Sequence, residues 1–234
     1  MKNRGILGIL GLVALGSISL GSASSWASDD EYTVELREIE SGDPVDLDHA
    51  LASEGGDVSW GDVIIIGEKI WKIIENGKPV SDVEQKAGVH VIPACVDGRW
   101  SKLQGWRLPA FKTYSLVYKN PYGMEVIRFT FTFSYNYGGN YRGWGRFLAN
   151  VKVIPREASV AWGYKFNASV RVDEKVLNVG TSANPVAGLG LQVQWRLSTV
   201  MRDIQEAQDI FVDGTGKSTS TGVFTLPEKE KMSL

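Results

Sequence analysis

The residues best suited to chemistry lie in Tyr135-Asn-Tyr-Gly-Gly-Asn-Tyr-Arg-Gly-Trp-Gly-Arg-Phe147, which joins Tyr and Trp side chains to four glycines and two arginines. Aromatic rings held out on a Gly-rich hairpin can stack on sugar faces or settle at a bilayer interface. Guanidinium groups beside them can hold anionic groups. Tyr137, Tyr141, Arg142, Trp144 and Arg146 are therefore the candidate binding residues. The alternative is structural: the glycines supply turn and bulge dihedrals, and the aromatics pack over one end of the domain.

Other constellations are weaker. Asp213-Gly-Thr-Gly-Lys-Ser-Thr219 resembles a phosphate loop, but such a loop needs Gly four residues before Gly216-Lys217, and Phe211 stands there. It reads instead as the start of a flexible Gly/Ser/Thr tail. His49 and His90 are the only histidines and lie far apart, so neither a metal site nor a Ser-His-Asp arrangement is expected. Paired carboxylates could serve a hydrolase; Asp173, Glu174 and Asp203 are candidates that read as loop charges. Cys95 is the only cysteine, so no intrachain disulfide can form, and a lone thiol reads as a small buried hydrophobe. Asn167-Ala-Ser169 matches a glycosylation acceptor inside a predicted strand. Trp100, Trp106, Trp162 and Trp195 fall mostly in apolar registers and read as core. No cofactor, metal ion or nucleic acid is called for.

These residues need a scaffold, and the amino terminus says where it folds. Lys2 and Arg4 precede the apolar run Ile6 to Leu20, and Ser25-Trp26-Ala27 sets small residues at −3 and −1 of a cut before Ser28. The run is short of the ~20 residues that span a bilayer. Residues 1–27 are thus expected to be a signal peptide that delivers the chain to the periplasm or the extracellular space. No transmembrane helix is expected after the cut.

Charge is uneven in the remainder. From Asp29 to Asp57 eleven acidic residues face only Arg37, and the rest of the mature chain carries 22 Lys plus Arg against 16 Asp plus Glu. Residues 28–57 read as an acidic, poorly ordered linker with room for one strand at Tyr32–Leu36. The sequence places a β domain over 58–213 and a flexible tail over 214–234.

Within that domain Val63–Ile66 is a β-branched run fit for a strand. Ile70, Ile73 and Ile74 at helical spacing, stopped by Asn76-Gly77, predict a short helix over 68–75; a strand entering an Asn-Gly hairpin is the alternative. From Glu125 to Tyr137 the odd positions run Glu, Ile, Phe, Phe, Phe, Tyr, Tyr against polar even ones, a period of two. At ~3.3 Å per residue so long a strand must bend or switch sheets. Ala158–Val172 and Leu189–Leu197 alternate likewise, and Asn120-Pro-Tyr-Gly123 makes a turn. One apolar face per strand and few helices predict an antiparallel two-sheet β-sandwich with at most one or two short helices. A membrane-spanning barrel is the alternative, weakened by the mid-strand cluster Phe129, Phe131 and Phe133.

Gly67-Glu-Lys-Ile70, Gly77-Lys-Pro-Val80, Tyr114, Tyr118-Lys-Asn120, Gly123, Tyr137-Gly-Gly-Asn-Tyr141, Val160-Ala-Trp-Gly163, Asn178-Val-Gly180 and Asn184-Pro-Val-Ala187 resemble an uncharacterised family of secreted bacterial β-rich proteins. The resemblance implies an envelope setting and a β fold, and assigns no activity. The sequence therefore predicts an exported, non-enzymatic binding protein whose partner is a glycan, a lipid or an envelope protein. The alternatives are a membrane-active or outer-membrane β-protein and a secreted hydrolase.

Overall fold

The computed structural model describes residues 32–42, 58–80, 88–96 and 99–226. Residues 1–27, expected to be a signal peptide, most of the expected acidic linker and the last eight residues lie outside the described residues. The fold is mainly β, two antiparallel sheets consistent with a β-sandwich.

The first sheet runs in the order β1 (Thr33–Gly42), β7 (Ala110–Lys119), β8 (Glu125–Tyr141), β9 (Trp144–Val160), β5 (Val89–Pro93) and β2 (Val63–Ile66), with β6 (Leu103–Gln104) on the end of β8. The second runs β14 (Ser218–Ser220), β13 (Asp203–Asp213), β12 (Ala187–Ser198), β10 (Lys165–Val172), β3 (Ile70–Glu75) and β4 (Lys78–Pro79). Two short strands complete it, β11 (Leu177–Asn178) on β12 and β15 (Phe224–Thr225) on β13. Helical structure among the described residues is confined to 3-10 turns at Trp60–Asp62, Ala94–Val96 and Trp100–Lys102.

The period of two decides what lies between the sheets. On β8 Phe129, Phe131, Phe133, Tyr135 and Tyr137 are buried, facing Phe166, Val170, Leu191, Val193 and Trp195 of the second sheet. The Phe129 and Phe166 rings meet across the interface at 5.4 Å. Thr113, Thr130, Thr132, Ser134 and Arg156 line a groove on the first sheet's other face. Rings inside and hydroxyls outside reverse the pattern of a lipid-facing barrel wall. At 17 residues β8 is very long, and it bends rather than switching sheets: its register with β9 shifts four times, and Gly138 has φ 80°. Bulges of this kind increase local twist and bend the strand.

Four local expectations are corrected and one is extended. Residues 70–75 form a strand, not a helix. A bulge against β10 puts an extra residue between Lys72 and Ile74, so Ile73 and Ile74 are both buried and imitate helical spacing. Asn76 (φ 50°) and Gly77 (φ 76°) then make the hairpin turn into β4. The one strand allowed for in the acidic linker forms and runs beyond the expected Tyr32–Leu36: β1 pairs with β7 from Thr33 to Gly42, because Val34 and Leu36 pack on the core while Glu38 pairs with Lys112. The tail is also structured as far as Leu226, which is buried, since β14 and β15 cover β13. The alternation from Ala158 to Val172 is two strands, because the chain turns at Ala161–Tyr164, where Gly163 has φ 87°. Cys95 is exposed on a 3-10 turn rather than buried.

Candidate functional site

The Gly-rich hairpin does not present its aromatics to solvent. Arg142 (φ 51°) and Gly143 (φ 81°) form a two-residue turn, and the flanking strands pair to the tip, Tyr141 with Trp144. Positive φ at both central positions suits the strand twist. Tyr137, Trp144 and Arg146 are buried, Tyr141 is half-buried with the Arg142 guanidinium 5.4 Å from its ring centre, and only Arg142 is exposed. The glycines serve packing: Trp106 lies flat on Gly139, where a Cβ would overlap the indole, and Trp100 leans on Trp106 and His90. Burial lowers the His90 pKa. Of the four tryptophans expected in the core, Trp195 is fully buried and Trp106 partly so. Trp100 and Trp162 are exposed.

The Asp213–Thr219 segment is a tight turn between β13 and β14. The Asp213 carboxylate accepts from the backbone N–H groups of Thr215 (2.8 Å) and Lys217 (3.2 Å), leaving no phosphate cradle. Asp173 sits against Gly190 near Asp209, and burial and then the Asp209 charge raise its pKa. Asp209 accepts from Gln192, and Asp203 pairs with Arg196. Glu174 is exposed on the same loop as Asp173. Among the described residues no group of three or more His, Cys, Asp or Glu is placed to hold a metal ion.

Five of the exposed large apolar side chains stand at the opposite end from the Gly-rich hairpin. Tyr122 (87% exposed) and Met124 (59%) stand on the β7–β8 turn, and Trp162 (98%) stands between β9 and β10. Val200 (101%) and Met201 (92%) stand on the β12–β13 turn. Pairing makes the three turns neighbours. The Ala161 N–H donates to Val126 O at 2.9 Å, tying the second turn to the start of β8, and Lys165 pairs with Ser198 beside the third.

Two of the turns are held by their own side-chain hydrogen bonds, and the Trp162 turn by the backbone bond from Tyr164 N to Ala161 O at 3.2 Å. Asn120 Oδ1 accepts from Tyr122 N (3.1 Å) and Met124 N (3.0 Å), and Thr199 Oγ1 accepts from Met201 N (3.3 Å) and Arg202 N (2.9 Å). The apolar groups are thus fixed outward. Lys119, Lys165 and Arg202 stand at these turns, together with Glu125 and Asp203, which pair with Arg128 and Arg196.

Beside this end the sheets part into a cleft of about 390 Å³ between β1 and the β13–β15 edge. Tyr32, Val34, Ile204, Val223 and Phe224 wall it, with Arg202 and Glu206 also on its lining. At its floor the Trp195 indole N–H donates to the Tyr118 hydroxyl oxygen at 2.5 Å, and the Tyr118 hydroxyl donates to Glu206. Burial, and then the Glu206 charge, raise the Tyr118 pKa well above the ordinary phenol value.

No known protein family, curated protein or solved structure matches this chain. The site must therefore be argued from its own geometry. Sequence reasoning missed the loop end because each turn contributes only one or two residues. The available signal was an apolar side chain beside a turn former, as in Pro121-Tyr122-Gly123 and Trp162-Gly163.

Proposed function

We propose that the chain, exported by the leader at residues 1–27, is a non-enzymatic binding protein whose partner is a lipid surface. The Tyr122, Met124, Trp162, Val200 and Met201 end makes the contact. The observation that carries this reading is those five exposed apolar side chains on three adjoining, hydrogen-bonded turns, with Arg202 on the third and Lys119 and Lys165 at the strand ends beside the other two. Contiguous exposed apolar patches mark interaction sites. Three separate turns make a projecting, discontinuous set, which matches a deformable surface better than the groove of a folded partner. Trp and Tyr suit the headgroup level, where one end of the ring is apolar and the other wet. Lys and Arg beside them add attraction to anionic lipid.

The mature chain, residues 28–234, is expected to float with phosphatidylcholine vesicles containing 30% phosphatidylglycerol. The triple substitution Trp162→Ser, Val200→Ser and Met201→Ser is expected to reduce the bound fraction at least tenfold. Because these side chains are exposed, its unfolding curve should match that of the parent. A parent protein that stays with the soluble fraction, or a triple variant that binds equally, overturns the reading.

A further inference from the structure

His90 is the one histidine among the described residues, and its ring is held by a bond that only the neutral form can make. Val89 and Val91 on either side of it are fully buried, so alternation turns His90 to the opposite face of β5. Across from it β9 carries an extra residue, since Val89 pairs with Val151 but Val91 with Leu148. Asn150 takes up that residue with φ 50°, and its backbone N–H donates to His90 Nδ1 at 3.2 Å. An amide N–H can only donate. His90 Nδ1 is therefore the bare, accepting nitrogen, and the ring proton sits on Nε2.

The same imidazole supports an aromatic corner. Trp100 meets it at 68°, ring centres 4.8 Å apart, and Trp106 stands 6.4 Å from Trp100 with its indole against Gly139. The Asn150 side chain donates to Asn136 Oδ1 (3.2 Å), and Asn136 donates to the Arg107 carbonyl (3.2 Å). The bulge and the Trp106 segment are thus tied into one unit. We propose that His90 is an acid-operated latch, in which a proton arriving at Nδ1 breaks the bond to the β9 bulge and frees the Trp100–Trp106 corner. The added proton sets two N–H groups against each other. Asn150 lies at the surface, where water can accept its N–H once the imidazole has left.

No neighbour holds the imidazolium in place. Among the described residues, the ionisable groups on the elements packed around His90 are Lys152 on β9, Asp62 and Glu68 flanking β2, the Cys95 thiol, and Arg99, Lys102 and Arg107 around the tryptophans. Lys102 donates to the Cys95 carbonyl (2.7 Å), and Asp62 accepts from Ser59. Burial alone displaces the His90 pKa, and it does so downward. A released ring instead titrates at the ordinary value of about 6.5. Latching is therefore complete above that value and weakens as pH falls below it.

The test uses the mature chain with nitrogen-15-labelled histidine, the His90 signals being assigned by comparison with His49→Gln. Between pH 8 and pH 4, neutral His90 should carry its proton on Nε2 and should titrate below the ordinary imidazole range. Tryptophan emission should move to longer wavelength at the His90 midpoint, while far-ultraviolet circular dichroism stays constant through it. His90→Gln offers an uncharged acceptor oxygen and should remove the emission change. Should that variant unfold, Trp100→Phe takes its place: His90 titrates as before and most of the emission change disappears. A neutral ring protonated on Nδ1, titration at or above the ordinary value, or an emission change that survives the substitution overturns the latch. So does loss of the dichroism signal at the same midpoint, which would make the transition a global unfolding.

Discussion

At Tyr118 one hydroxyl accepts from an indole and donates to a carboxylate, both across the sandwich from its own strand. Replacing Tyr118 by Phe leaves the buried Trp195 N–H without an acceptor and takes a donor from Glu206. Orphaning a buried polar group costs about 1–3 kcal/mol, so the Phe variant should unfold at correspondingly lower urea at pH 7. The pH dependence separates this role from simple packing. The folded pKa of Tyr118 lies above the ordinary phenol value, so its contribution is complete below about pH 10. It is lost as pH rises through the folded value, because the unfolded chain releases the proton first. Urea curves between pH 8 and pH 11 should show a steeper alkaline loss for the parent than for the Phe variant; parallel losses would refute this role. Nothing local announced this chain, since Tyr118, Trp195 and Glu206 lie on three strands.

At the scale of elements, the strands after Asp213 close an otherwise open edge. Tyr135 donates to Gly216 O at 2.6 Å, Leu226 N donates to Gln205 O at 3.1 Å, and Leu226 is buried. Ending the chain at Asp213 removes these bonds and uncovers Ile210 and Val212. The expected destabilisation is about 2–4 kcal/mol, from one buried Leu and two buried hydrogen bonds. Limited proteolysis and urea unfolding would measure it, and an unchanged midpoint would show the tail to be dispensable. The tail's Ser, Thr and Gly gave no period to read, which is why it looked flexible. β8 was legible for the opposite reason: Phe129, Phe131 and Phe133 leave no doubt which face is buried. Trp162 shows where such reading stops. It keeps the even register set by Ala158 and Val160, yet the turn at Gly163 ends that register, and the side chain finishes in solvent. The candidate site was less legible than the fold, because Tyr122, Trp162 and Val200 come to one end only through the pairing of β8, β9, β10 and β12.

Over the whole molecule, the two ends of the long β8–β9 hairpin differ in kind. One end buries its aromatics around Gly139 and Trp106, while the other holds them outward beside Lys119, Lys165 and Arg202. The proposed lipid docking by the second end would combine two forces with different salt dependence. Each cation near an anionic surface contributes about 1 kcal/mol, so the three together are worth roughly a hundredfold in affinity at low salt. The apolar contribution of Trp162, Val200 and Met201 is not screened. Raising sodium chloride from 50 mM to 500 mM shortens the screening length from about 14 Å to about 4 Å. Binding to phosphatidylglycerol vesicles should therefore weaken by tens of fold and then level off instead of vanishing. Replacing Lys119, Lys165 and Arg202 by Gln should abolish most of the salt dependence while leaving the plateau. The Ser substitutions at the apolar tips should do the reverse, removing the plateau and keeping the slope. A parent whose binding falls to nothing at high salt would show that charge alone holds it to the surface, and that the exposed apolar turns serve some other contact.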